Sequence, residues 1–269
     1  MKALEISEKA QNQVEVATAC ILLANTQCRM GDLKDAVAWG RRALQLSEQA
    51  HDERRAAWAR IMLYQALVLQ GEFSELTALN ERARSVFERV GDFRGRAWAM
   101  VMHAYLAEVQ RELETGIELR RQFATMSRES GGFRHELSAA LARQAEDELR
   151  LGRLPEALEH AEESLRIAQA MGNKLEYGYA YMVLAEIHAE EEYRDWSKAA
   201  WYLDESLKAF REVGAELDVA RAWLAGARIS RLRNDGRASE LAERARTAFA
   251  TRGARPLLEE AEELFARFR

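Results

Sequence analysis

The stretch LARQAEDELRLGRLPEALEHAEESLRIAQAMG at 141–172 decides the fold. It reads as two amphipathic helices around a tight turn. Gly152-Arg153 is that turn, because Gly ends a helix in the left-handed conformation at low steric cost. Leu154-Pro155-Glu156 opens the second helix, where Pro suits the first turn. Ala157, Ala161 and Ser164 then place small side chains at i, i+4 and i+7, a spacing that lets helices approach closely.

The same unit recurs along the chain at a period of about forty residues, and internal repeats outrank other signals. KALEISEKA at 2–10 matches RALQLSEQA at 42–50, and ACILLANTQCRMGDL at 19–33 matches ARIMLYQALVLQGEF at 59–73. Trp58 and Trp98 occupy equivalent places. Gly31-Asp32 and Gly71-Glu72 repeat the turn. Ala36, Gly40 and Ala43 repeat the small positions, as do Ala238, Ala242 and Ala245. The unit at 94–133 departs most: Arg111-Glu112 replaces the turn glycine, and Gly116 and Arg120 stand at small positions.

Composition agrees. The 269 residues are 48% hydrophobic and 31% charged, with only 2 Pro, against a usual Pro share of roughly 5%. Ala, Leu, Glu and Arg dominate, and these are strong helix formers. A β-rich or α/β fold and a disordered chain are both excluded. The net charge of −5 gives no basic footprint for nucleic acid. No apolar run reaches the 18 or more residues that would span a membrane, and the N-terminus is no signal peptide. Cys20 and Cys28 lie about 12 Å apart along one helix, too far for a disulfide with each other. A reducing cytoplasm is the expected setting.

These repeats resemble the tetratricopeptide repeat in its longer, forty-residue form. The resemblance implies an all-α, right-handed superhelical solenoid of antiparallel helix pairs, stacked because one unit cannot bury its apolar stripe alone. Six full units are expected, at 14–53, 54–93, 94–133, 134–173, 174–215 and 216–253. Residues 1–13 read as the tail of a truncated repeat, and 254–269 as a capping helix with Leu257, Leu258, Ala261, Leu264, Phe265 and Phe268 on one face. The chain therefore reads as a segment of a longer protein. It is similar to the helical-repeat region of MalT-type and other ATPase-coupled bacterial signalling regulators, including cyclases and Ser/Thr kinases, which implies a sensing role beside neighbouring domains. An Arg count of 33 against 6 Lys fits a GC-rich bacterial genome.

No chemistry-bearing motif stands out. There is no GxxxxGK[ST], GxGxxG or GxSxG. His188 with Glu192 offers two ligands at i, i+4 but no third, which makes no zinc site. No enzyme activity, metal or cofactor is expected.

Registering the units on their turns draws a groove along the first helices. One ladder runs Asn25, Gln65, Tyr105, Glu146, Glu186, with Arg29 and Glu190 a turn later and Trp58, Trp98 and Tyr179 before it. The groove is aromatic and apolar early, and acidic toward Glu108, Glu146, Glu186 and Glu190. It suits a protein or peptide segment with apolar and basic side chains, aromatics supplying contact energy and acids steering approach. A chaperone-tail clamp is disfavoured, since Ile21, Ile61, Val101, Ala142 and Met182 stand where such clamps need Lys. The Arg228, Arg231, Arg233, Arg237 cluster reads as solvated surface.

The function expected is a non-catalytic protein- or peptide-interaction and sensing module of a larger regulator. A stand-alone scaffold is the first alternative. A receptor for a short signalling peptide is the second, though that family's N-terminal helix-turn-helix or phosphatase-like bundle is not visible. Flanking ATPase or cyclase sequence would favour the first reading, and a natural start and stop at 1 and 269 the scaffold.

Overall fold

The computed structural model describes residues 2–10 and 12–266, with the side chains of residues 2–4 and 8 left aside. Every regular element among them is a helix. They group into two compact units, the first at 1–103 with 252–255, the second at 104–251 with 256–269.

Unit 1 holds α1 (Lys2–Lys9), α2 (Gln13–Met30), α3 (Leu33–Gln49), α4 (Glu53–Gln70) and α5 (Leu76–Arg89). Helix α6 (Phe93–Val109) begins in unit 1 and ends in unit 2. Unit 2 continues with α7 (Leu113–Ser130), α8 (Arg134–Arg150), α9 (Leu154–Met171), α10 (Lys174–Ile187), a short 3-10 turn (Glu191–Tyr193), α11 (Trp196–Glu212), α12 (Glu216–Arg233), α13 (Ala238–Arg252) and α14 (Arg255–Ala266). Consecutive helices pack as neighbours from α1 to α5 and from α7 to α12, and helices two apart also touch: α2 on α4, α8 on α10, α10 on α12. That is the nearest-neighbour pattern of a helical repeat.

The local chemistry explains the breaks. Gly31, Gly71 and Gly152 take positive φ, 85°, 72° and 73°, and release the chain into the next helix. Asn12, Asp52 and Asn173 cap the starts of α2, α4 and α10 by accepting from the backbone N–H three residues on. Arg111 follows α6 with φ 62°, so this turn takes the left-handed conformation without glycine.

The core lies between helices, and small residues open it. Ala36, Ala43, Ala157, Ala161, Ser164, Ala242 and Ala245 are fully buried. A Cβ on Gly40 would stand 3.1 Å from the Leu63 Cα. Large rings fill the space between: Phe87, Phe123, Phe210 and Phe249 are all fully buried. Cys20 and Cys28 are buried and form no disulfide, and burial pushes the Cys28 thiol up to about 12. No helix among the described residues is long and apolar enough to cross a membrane.

Candidate functional site

The expected ladder falls into two parts, one in each unit. In unit 1, Trp58 on α4 and Trp98 on α6 meet edge to face, ring centroids 6.4 Å apart. Phe87 on α5 sits 5.2 Å from Trp58. The Trp58 Nε1–H donates to Asp92 Oδ2 at 3.2 Å, and Arg54 Nε to the same oxygen at 2.7 Å. The Asp92 Oδ1 accepts from the Gly95 N–H at 2.9 Å. Trp58 and Trp98 are half-buried and fasten α4 to α6. Gln65 is half-buried, with an Oε1 that meets no partner among the described residues. Asn25 is half-buried and Arg29 exposed.

In unit 2 the acids are brought together, and so are arginines that composition places on the surface. Arg120 on α7 is 3% exposed. Its guanidinium donates to Glu108 Oε2 at 2.5 Å and to Asp147 Oδ2. Gly116, one turn earlier, makes the room: a Cβ there would lie 3.0 Å from Arg120 Nη1 and 3.1 Å from Asp147 Oδ2. The departure of this unit from the small-residue pattern is therefore one device, an ionic pair with its notch.

The network continues along α8, α10 and α12. Arg221 Nη2 donates to both Glu146 oxygens, at 2.8 and 3.1 Å. Arg150 Nη2 donates to Glu146 Oε1 at 2.9 Å, and Arg228 Nη1 to Glu186 Oε1 at 3.0 Å. Arg143 lies 3.3 Å from Glu108 and 3.4 Å from Glu146. Its guanidinium stacks on Tyr179 at 4.6 Å and stands 5.9 Å from the Tyr105 ring, a cation–π arrangement. The Tyr179 hydroxyl donates to Asp218 at 2.7 Å. Tyr105, Glu108, Glu146, Tyr179 and Glu186 thus belong to one connected cluster. Glu190, half-buried, lines a cavity of about 150 Å³ together with Glu146, Glu186, Arg228 and Arg231.

The acids expected to face a basic ligand are already engaged. Burial would raise the Glu146 pKa, but the guanidiniums of Arg221, Arg150 and Arg143 outweigh it and hold the carboxyl below its usual range. At Glu186 burial prevails over Arg228 and the pKa goes up. Asp147 is fully buried, and its Oδ1 has no partner among the described residues. Burial, then the neighbouring Glu108 charge, raise its pKa to about 7. Arg228, expected as solvated surface, is instead part of this network, whereas Arg231, Arg233 and Arg237 are exposed.

A pH dependence follows. The folded chain holds a proton on Asp147 over a range where the unfolded chain, with a carboxyl near 3.8, has released it. Stability from this group is full below about pH 4 and falls as pH rises toward 7. Asp147→Asn keeps the shape and should remove that fall, so the variant gains on the parent between pH 4 and 7.5 in urea unfolding. Parallel curves would mean that Asp147 stays ionised against Arg120.

Helix α14 lies across the same cluster. Glu260 Oε1 accepts from Arg150 Nη2 at 2.9 Å and from Arg228 Nη2 at 2.5 Å, and Glu263 pairs with Arg111. Leu257, Ala261 and Leu264 are buried, and Leu258 and Phe265 half-buried; Phe268, expected on this face, lies outside the described residues. A second cavity of about 430 Å³ runs beside the helix, walled by Tyr105, Glu108, Arg150, Arg221 and Arg228 opposite Leu257 and Glu260. Sequence reasoning found the carboxylates but missed Arg120, Arg143, Arg150 and Arg221 as their partners. The available signal was Arg120 itself, a long side chain at a position that elsewhere holds Ala, Gly or Ser.

Among the described residues, no group of three or more His, Cys, Asp or Glu could hold a metal ion. His188 Nδ1 lies instead 3.1 Å from the Tyr193 carbonyl oxygen.

No protein-family model and no curated protein matches the chain. Solved structures do. A Rap protein complexed with competence and sporulation factor matches with a TM-score of 0.68 at 13% identity, over 96% of this chain and 77% of that one. The apo form of RapI matches with a TM-score of 0.69 at 12% identity, over 96% and 91%. Aspartyl phosphate phosphatase F from Bacillus subtilis matches with a TM-score of 0.61 at 10% identity, over 97% and 73%. At these identities the likeness is one of fold: the chain shares the helical-repeat architecture of these proteins.

Proposed function

We propose that this chain is a non-catalytic interaction and sensing module that takes a protein or peptide segment on the face formed by its first helices. The observation that carries the reading is the pair of cavities beside the α8, α10 and α12 cluster. Tyr105, Glu108, Glu146, Glu186 and Glu190, five of the proposed site residues, line them. The fold supports it, since a protein of this architecture has been solved with a competence and sporulation factor bound. Tyr179 lies within the same cluster. Asn25, Arg29, Trp58, Gln65 and Trp98 are the proposed contacts in unit 1. The receptor for a short signalling peptide is thereby favoured over the scaffold. The chain is further proposed to serve a larger bacterial regulator of the MalT type, in the cytoplasm.

Panning the immobilised chain against a displayed random-decapeptide library is the test. Enrichment of peptides that compete with one another is expected. Their affinity should change at least fivefold in Glu190→Lys, which alters the charge at a cavity wall without entering the buried network. A library that returns no binder, or binders indifferent to Glu190→Lys and to Tyr105→Ala alike, would remove the reading.

A further inference from the structure

Helix α14 gives Arg150 on α8 and Arg228 on α12 what a bound partner would give them. Its twelve residues bury Leu257, Ala261 and Leu264, one stripe at i, i+4 and i+7. Beside that stripe Glu260 sits between two guanidiniums, 2.9 Å from Arg150 and 2.5 Å from Arg228. This is the arrangement of an amphipathic helix laid in a groove, here supplied by the same chain.

We infer that α14 is a built-in ligand, and that the face it covers accepts in its place an acidic amphipathic helix from a partner. The inference rests on the sensing reading above and names the chemistry of what is sensed. Two observations argue that α14 can leave. The cavity of about 430 Å³ beside it shows that its seat is incompletely filled. Its outer ties, Arg111 to Glu263, Arg246 to Glu262 and Arg255 to Glu72, join side chains 36–65% exposed, and exposed pairs contribute little.

Charge dictates what can replace it. Glu260 is the carboxylate that Arg150 and Arg228 share. When α14 departs, Arg150 keeps Glu146 and Arg228 keeps Glu186, but both lose the carboxylate that sits between them. Their side chains are 28% and 26% exposed, so water screens their mutual repulsion incompletely. The vacated seat therefore favours a carboxylate flanked by apolar side chains and repels a basic segment.

The test uses the full chain and a fluorescein-labelled synthetic peptide of residues 256–266, PLLEEAEELFA. Glu260→Lys places a cation between two arginines. In this variant the α14 amides should exchange hydrogen at least tenfold faster than in the parent, while α8 and α12 are unchanged. By anisotropy the peptide should bind the variant at least tenfold tighter than the parent, and the peptide carrying Glu260→Lys should not bind. Slow α14 exchange in the variant, or equal binding of both peptides, overturns the inference. If circular dichroism shows Glu260→Lys unfolded, Glu260→Gln keeps the shape and removes only the charge: exchange at least threefold faster supports the inference, and unchanged exchange overturns it. The two readings fail separately. Library binders indifferent to the state of α14 would sink the built-in ligand and leave the sensing role. A released α14 whose seat takes only the 256–266 peptide would do the reverse.

Discussion

Arg120→Met should cost about 3–5 kcal/mol of unfolding free energy at pH 8, the usual cost of removing one partner from a buried ion pair. The size follows from what stays behind. Arg120 is 3% exposed, and its partners Glu108 and Asp147 are 5% and 0% exposed as side chains. Met retains most of the apolar stem, so the loss reports charge rather than volume. Two carboxylates would remain where water does not reach, and Glu108 keeps only the longer contacts to Arg143 at 3.3 Å and Arg221 at 3.7 Å. Adding Glu108→Gln and Asp147→Asn to Arg120→Met should recover most of the loss, because neutral amides tolerate that environment better. Urea unfolding followed by circular dichroism measures both. A loss below about 1 kcal/mol, the size of an exposed pair, would show that the cluster does not hold α7 to α8.

The second large effect concerns a ring and the notch that receives it. Phe210 on α11 is fully buried, edge to face with Tyr179 at 5.1 Å. A Cβ built on Gly178 of α10 would stand 2.7 Å from its Cε1. Phe210→Ala should cost about 3–5 kcal/mol, the range for emptying an aromatic site. Gly178→Ala should cost about 1–3 kcal/mol through overpacking. Combined as Gly178→Ala with Phe210→Leu, the changes should fall short of additivity, since the smaller side chain vacates the space the new methyl needs. Simple additivity would mean that α10 shifts bodily to accept the methyl. The stacking of Arg143 on Tyr179 ties this packing to the ionic cluster, so its loss should also disturb the proposed ligand face.

What could be read from the chain beforehand follows from where each signal resides. Helix-ending turns are local, and Gly31, Gly71 and Gly152 announce them through a backbone conformation that other residues resist. Small positions such as Ala36, Ala157 and Ala242 recur at a fixed period, so the all-helical, stacked architecture was legible. The aromatic pair Trp58 and Trp98 was legible for the same reason. The interior arginines were not. Residue type places Arg at the surface, and only a partner distant in sequence reverses that, as Glu146 does for Arg221 at a separation of 75 residues. The seat of α14 was equally hidden. Its apolar stripe shows which side is covered, but Glu260 meets Arg150 across 110 residues. Arg111 adds a local surprise, a β-carbon held at φ 62° in a turn that glycine would enter freely.

The burial of both cysteines carries a practical consequence. Cys20 and Cys28 are 0% and 3% exposed, and Cys28, its pKa pushed up to about 12, supplies almost no thiolate near neutral pH. The native chain is thus chemically silent toward maleimides and spin-label reagents. A single thiol introduced at an exposed position such as Glu262 would be the one site that reacts quickly. Dyes or paramagnetic probes could then report the comings and goings of the last helix in otherwise native protein, with neither natural cysteine removed.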